Sequence, residues 1–134
     1  MEFWFSEHHT ENVKFSVKVD KHLYTKEDDL GRVDIFESPE YGKFLAVDGY
    51  IIFTERDEFI YDEMMSHIPM AVNPNAKRIL VFGSGDGGVV DELVKYKSIE
   101  QIDLVEINDG VIEACRKFFP DVAASLDDPR VTIY

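Results

Sequence analysis

An apolar run, RILVF (residues 78–82), feeds directly into GSGDGG (83–88), after which Val89, Leu93 and Tyr96 recur at helical spacing. A strand, a glycine loop and a helix in that order commit this part of the chain to a crossover arrangement. The pattern then repeats. QIDLVEIN (101–108) reads as the next strand, and DGVIEACRKFF (109–119) as the next helix, with Asn108 or Asp109 as its cap and Val111, Cys115 and Phe118 facing inward. VTIY (131–134) begins one more strand. Strands that alternate with helices specify a parallel, doubly wound sheet, so the second part of the chain is α/β.

The front of the chain has a different period. Val13, Phe15, Val17 and Val19 alternate strictly, as on a half-buried strand, and RVDIFES (32–38) is a second strand ended by a turn at Pro39 and Gly42. Asp48-Gly49 between two apolar runs is a hairpin signal. Residues 1–53 are therefore expected to form a small antiparallel β-domain whose edges favour self-association. Residues 54–134 are expected to form the first part of a Rossmann-like nucleoside-binding domain. Between them, Ile60, Met64, His67, Ile68 and Ala71 fall on one helical face, and Met64 and Met65 read as core. Thr54 is the expected N-cap, with Asp57 completing a variant capping box, and Pro69 and Pro74 are expected to end the helix.

Bulk properties narrow the function. The net charge of −13 argues against a nucleic-acid partner, which needs clustered Lys and Arg. A single cysteine, Cys115, gives neither a disulfide framework nor a zinc site, and it reads as a buried small hydrophobe. His8 and His9 have no metal-ligand spacing after them, and His67 reads as a core or helix-end histidine. No signal peptide or membrane span is evident, so a soluble cytoplasmic protein is the expectation.

The glycine loop carries the chemistry. Gly83, Gly85 and Gly88 satisfy GxGxxG, and Gly87 adds a fourth glycine. Such a loop lets a ligand approach bare backbone. Glu106, 21 residues after Gly85, stands where an acid can accept hydrogen bonds from ribose hydroxyls. The alternative is a plain glycine turn with Glu106 an unconnected surface acid. Asp86 discriminates among nucleotides: a carboxylate in the loop repels a pyrophosphate and attracts an ammonium or sulfonium group. Methyltransferases that use S-adenosylmethionine usually carry an acid two residues before the first glycine, and here that position is Val81.

GSGDGG with LVEIN after it, VDGYIIFTERDEFIYDEMMSHIP (47–69) before it and LDDPRV (126–131) beyond it closely resembles the polyamine aminopropyltransferase (spermidine synthase) family. The resemblance runs from FWFSE (3–7) to the last residue. It implies an N-terminal β-domain, a methyltransferase-like Rossmann domain and a homodimer or homotetramer. The implied reaction moves an aminopropyl group from decarboxylated S-adenosylmethionine, a co-substrate rather than a cofactor, to putrescine, and releases methylthioadenosine. By the same resemblance Asp86 holds the amino end of the aminopropyl chain and Glu106 the ribose hydroxyls. Ile107 lies beside the adenine, Tyr61 orients the amine, and Asp62 lines the amine site. No metal is implied.

Four departures from the family pattern bear on this expectation. Ser84 replaces a glycine and is expected to be tolerated at negative φ. Asp62 stands where many bacterial members have His or Gln, and Gly31 where a glutamine commonly lines the site. The family's catalytic aspartate lies on a strand beyond Tyr134, as does an Asp-Gly pair that helps bind adenine. The chain is thus expected to be a truncated or fragmentary form, inactive alone, with the first strand of its parallel sheet left as an unpaired edge. Alternative readings are an S-adenosylmethionine-type methyltransferase or other nucleoside-binding Rossmann protein, and a non-catalytic binding or oligomerisation module.

Overall fold

A computed structural model of the chain describes all 134 residues, Met1–Tyr134. It divides into two compact units, Met1–Glu58 and Phe59–Tyr134. The first is wholly β. Strands β1 (Phe3–Thr10) and β2 (Val13–Val19) form an antiparallel hairpin, and β3 (Lys21–Asp28), β4 (Gly31–Ser38), β5 (Gly42–Val47) and β6 (Tyr50–Thr54) form a four-stranded meander in sequence order. Asp48 and Gly49 both have positive φ, 51° and 83°, and Val47 pairs with Tyr50. That is the twisted two-residue turn that the Asp-Gly pair favours. Val17 and Val19 are buried with Phe44, and Phe5 and Phe36 pack against them. The alternation in β2 is only half used, because Val13 and Phe15 near the hairpin tip are exposed.

Gly31 opens β4 at φ 120°, a conformation that L side chains rarely adopt. A Cβ there would lie 2.8 Å from Asp48 Oδ2, and the other oxygen of Asp48 accepts the Arg32 amide at 2.8 Å. The Asp48 carboxylate thus fills the space into which a glutamine at position 31 would project.

The second unit holds helix α1 (Glu58–Val72), β7 (Arg78–Phe82), α2 (Gly88–Leu93), β8 (Gln101–Val105), α3 (Asp109–Phe118), α4 (Pro120–Ala123), a 3₁₀ turn over Ala124–Asp127, and β9 (Val131–Ile133). The sheet is parallel, in order β7-β8-β9, with β7 at an edge. One face of the sheet carries its core. Ile102 and Leu104 have no exposed surface, and each such burial contributes about 1.5–3 kcal/mol. From the other face Leu80 and Phe82 project into solvent, Phe82 with 77% of its surface exposed. Asn108, not Asp109, caps α3, its side-chain oxygen accepting the Gly110 amide at 2.9 Å. Cys115 is fully buried, as its place on the helix implied, whereas Phe119 rather than Phe118 turns inward.

Helix α1 departs most from its sequence pattern. It buries Asp62, Ser66 and Met70, while Ile60, Met64, Met65 and Ile68 are exposed. Hydropathy alone points to the wrong face, because two of the three inward residues are polar. The helix starts at Glu58, four residues past the expected cap. Thr54 ends β6, and its hydroxyl donates to Asp57 Oδ1 at 2.6 Å instead of capping. Pro69 stands inside the last turns without ending them, and the helix runs on to Val72. No helix of the chain is long and apolar enough to cross a membrane.

Candidate functional site

The glycine loop leaves the C-terminal end of β7 with Gly83 at φ 77°, and the Gly83 amide donates to Val105 O at 2.8 Å. That bond ties the loop to the end of β8, which presents Glu106. Each carboxylate oxygen of Glu106 accepts one backbone amide: Oε2 from Gly85 and Oε1 from Asn108, both at 2.9 Å. A carboxylate oxygen has two lone pairs, so each can still accept a hydroxyl. Gly85 is required by this closeness, since a Cβ there would sit 2.6 Å from Glu106 Cγ. The 21-residue spacing read from the sequence is therefore a direct contact between loop and acid.

Ser84 corrects an expectation. Its φ is 67°, in the left-handed region, not negative. The side chain explains why a serine is held there: Oγ lies 2.9 Å from Asp86 Oδ1 and accepts the Val89 amide at 3.4 Å. A glycine at 84 would relax the backbone but lose both contacts.

Asp86 is half-buried. Burial raises its pKa above the ordinary carboxylate value of 3.8, and the nearby Glu106 charge adds to the rise, against the lowering effect of the Ser84 hydroxyl and the Asp86 and Gly87 amides. None of these groups is cationic. Asp86 is thus a carboxylate withdrawn from water with no positive side chain to compensate it, an environment that a ligand cation would relieve.

Asp62 lies on the same unit and is not a solvated residue of the helix surface. It is 6% exposed, and a Cβ on Gly88 would fall 2.0 Å from its Oδ2. The carboxylate therefore rests directly on the backbone where the loop becomes α2. The sequence treated Asp62 as a departure at a substrate position and did not reveal this packing. Gly87 has φ 97° and would place a Cβ 2.9 Å from Val122 O, so the loop is also seated on α4. Tyr61, one residue before Asp62 on α1, is 64% exposed, and Ile107, one residue after Glu106, is 81% exposed. The structure brings Asp62, Asp86 and Glu106 around the glycine loop and leaves Tyr61 and Ile107 as bare side chains on flanking elements.

Two family models match the chain. The spermine/spermidine synthase domain covers residues 58–134, and the spermidine synthase tetramerisation domain covers residues 3–55. A polyamine aminopropyltransferase of Clostridium botulinum is 53% identical over 133 residues, spanning 99% of this chain and 47% of the relative. One from Agathobacter rectalis is 52% identical over 134 residues, again spanning 47% of the relative. A spermidine synthase solved in complex with the transition state analogue AdoDATO superposes with a TM-score of 0.94 at 41% identity, covering 98% of this chain and 45% of that one. The spermidine synthase of Thermotoga maritima gives 0.93 at 42% identity, with 98% of this chain and 46% of that one covered. The chain spans about half the length of the curated relatives it matches.

Proposed function

The chain belongs to the polyamine aminopropyltransferase (spermidine synthase) family, and from that premise we propose that it supplies the donor-holding part of an aminopropyltransferase. The substrate is decarboxylated S-adenosylmethionine. Glu106 accepts the two ribose hydroxyls through the lone pairs its backbone contacts leave open. Asp86 takes the ammonium at the end of the aminopropyl chain. Ile107 offers an apolar side chain to the adenine, while Tyr61 and Asp62 orient the acceptor amine, putrescine or a related polyamine.

In the reaction the lone pair of the acceptor nitrogen attacks the carbon next to the sulfonium. That lone pair is free only after the acceptor, an ammonium near neutral pH, gives up a proton. The C–S bond then breaks with its electrons passing to sulfur, leaving neutral methylthioadenosine and a protonated secondary amine. The protein's part is to align two cationic partners, and the reaction needs a base to take up the acceptor's proton. The observation that carries the reading is Asp86: a loop that bound pyrophosphate would not withdraw a carboxylate from water at its mouth. We assign the same cytoplasmic, homo-oligomeric setting as for the family, with assembly through the β-rich unit that matches a tetramerisation domain.

Calorimetry on this chain tests the reading. Decarboxylated S-adenosylmethionine binds in preference to NAD; tighter NAD binding would move the chain to the dinucleotide class. The 134-residue polypeptide alone forms no spermidine, because none of its acids is placed here as the base for an amine with a pKa of about 10. General-base help is worth on the order of 10²–10⁴-fold in rate. Product seen by mass spectrometry and lost in Asp86→Asn would instead make one of the acids present, Asp62 foremost, the base.

A further inference from the structure

His67 is a side chain of α1 that the proposed chemistry leaves unused, yet both of its ring nitrogens are engaged. Nε2 lies 2.9 Å from Glu92 Oε2, and Nδ1 lies 2.7 Å from the Tyr96 hydroxyl. Glu92 is a buried residue of α2 whose other oxygen accepts from Lys95. An ionised carboxylate can only accept, so Glu92 fixes a proton on Nε2. In the neutral ring Nδ1 is then left to accept the Tyr96 hydroxyl. One tautomer satisfies all three groups, and the ring is clamped at both ends.

This clamp belongs to a seam along α1. Asp62 rests on Gly88, the Ser66 hydroxyl donates to Val89 O at 3.2 Å, and His67 reaches Glu92 and Tyr96. Along the same helix Phe59, Ile60, Met64 and Ile68 are exposed and Met70 is the one buried apolar side chain, so the polar contacts do much to set its position against α2. Helix α1 carries Tyr61 and Asp62, and α2 follows Asp86 after a single residue.

We propose that His67 is a positioning residue for the amine end of the site, holding the helix that carries Tyr61 and Asp62 in register with the segment that carries Asp86. The proposal rests on the functional reading above. It separates the two halves of the donor: the ribose is held by Glu106 at the end of β8, which His67 does not touch, whereas the aminopropyl end depends on the α1–α2 seam.

The test uses the full 134-residue chain as wild type, His67→Phe and the milder Tyr96→Phe, which removes one hydroxyl. Decarboxylated S-adenosylmethionine and methylthioadenosine are each titrated by calorimetry, and amide hydrogen exchange is followed over residues 59–66. In His67→Phe the donor binds about tenfold more weakly, the scale of one hydrogen bond to a charged group, while methylthioadenosine changes less than about twofold. Exchange over 59–66 quickens in both variants, and Tyr96→Phe shifts the donor affinity in the same direction by less. Equal loss of both ligands, or unchanged exchange with unchanged donor affinity, overturns the positioning role alone and leaves the functional reading standing. A wild-type chain that binds neither ligand overturns both. If His67→Phe does not fold, the Tyr96→Phe pair of affinities decides the matter by itself.

Discussion

Gly88→Ala tests the packing that links α1 to the glycine loop. The added methyl would lie 2.0 Å from Asp62 Oδ2, 2.5 Å from Cγ and 2.7 Å from Oδ1. All three separations are more than about 0.5 Å short of ordinary van der Waals contact. The carboxylate has little room to retreat, because Asp62 is buried and the next turn of its helix is tied down by the Ser66–Val89 bond. Overpacking of this kind costs about 1–3 kcal/mol. The better helix propensity of alanine returns at most about 1 kcal/mol, less at a first helical residue. A net loss of about 1–2 kcal/mol lowers the melting temperature by about 4–8 °C per kcal/mol in a unit of this size. Thermal and urea melts of Gly88→Ala, Asp62→Ser and the double variant check the contact. The shorter serine makes room, so the double variant is more stable than the sum of the single losses by about 1 kcal/mol or more. Strict additivity, or a Gly88→Ala melt indistinguishable from wild type, would refute the reasoning.

Further expectations come from the loop and its supports. Ser84→Gly and Ser84→Ala both lose the hydroxyl contacts, but only glycine relaxes a left-handed backbone, so Ser84→Gly is the more stable by about 1–2 kcal/mol; equal urea midpoints would contradict that assignment. Arg130 donates to Val94 O at 2.7 Å and Tyr96 O at 3.0 Å while paired with Asp128, so Arg130→Ala costs about 2 kcal/mol and Lys, lacking the fork, does not restore it. Asp86 binds its proton more tightly folded than unfolded, so the stability of the free protein falls as pH rises from 3.8 through the raised folded value and is level above it. Asp86→Asn removes that slope in pH-dependent urea melts and is the more stable form at neutral pH. A slope that survives the substitution would assign it to another group.

The parallel unit was legible because its signals are local and mutually consistent. RILVF before four glycines, Glu106 at the end of the next strand and Asn108 before α3 each specify their own element. The Asp48-Gly49 turn was legible for the same reason: few other residues populate its backbone angles without strain. Helix α1 was not legible. Its inward stripe is Asp62, Ser66 and Met70, and nothing in hydropathy says that an aspartate packs on a glycine 26 positions later. The positive φ of Ser84 was also hidden, since its hydroxyl offsets the strain through Asp86, two residues on. Asp86 and Glu106 stand out in the sequence by their types and order, whereas Tyr61, Asp62 and Ile107 are candidates by resemblance to the family. The contacts that hold them, from Asp62 to Gly88 and from His67 to Glu92 and Tyr96, are tertiary and leave no mark in local spacing.

The central claim is that Asp86 is the receptor for an ammonium group, and its most direct test is a comparison of two ligands that differ in that group. Decarboxylated S-adenosylmethionine carries the aminopropyl ammonium and methylthioadenosine does not. Calorimetric titration of wild type and Asp86→Asn with both gives four affinities. A charge-assisted contact in a partly desolvated site is worth about 1.5–3 kcal/mol. Asp86→Asn therefore weakens the donor by about 10–150-fold and leaves methylthioadenosine nearly unchanged. Equal loss for both ligands would contradict the account and leave Asp86 as a structural residue of the loop.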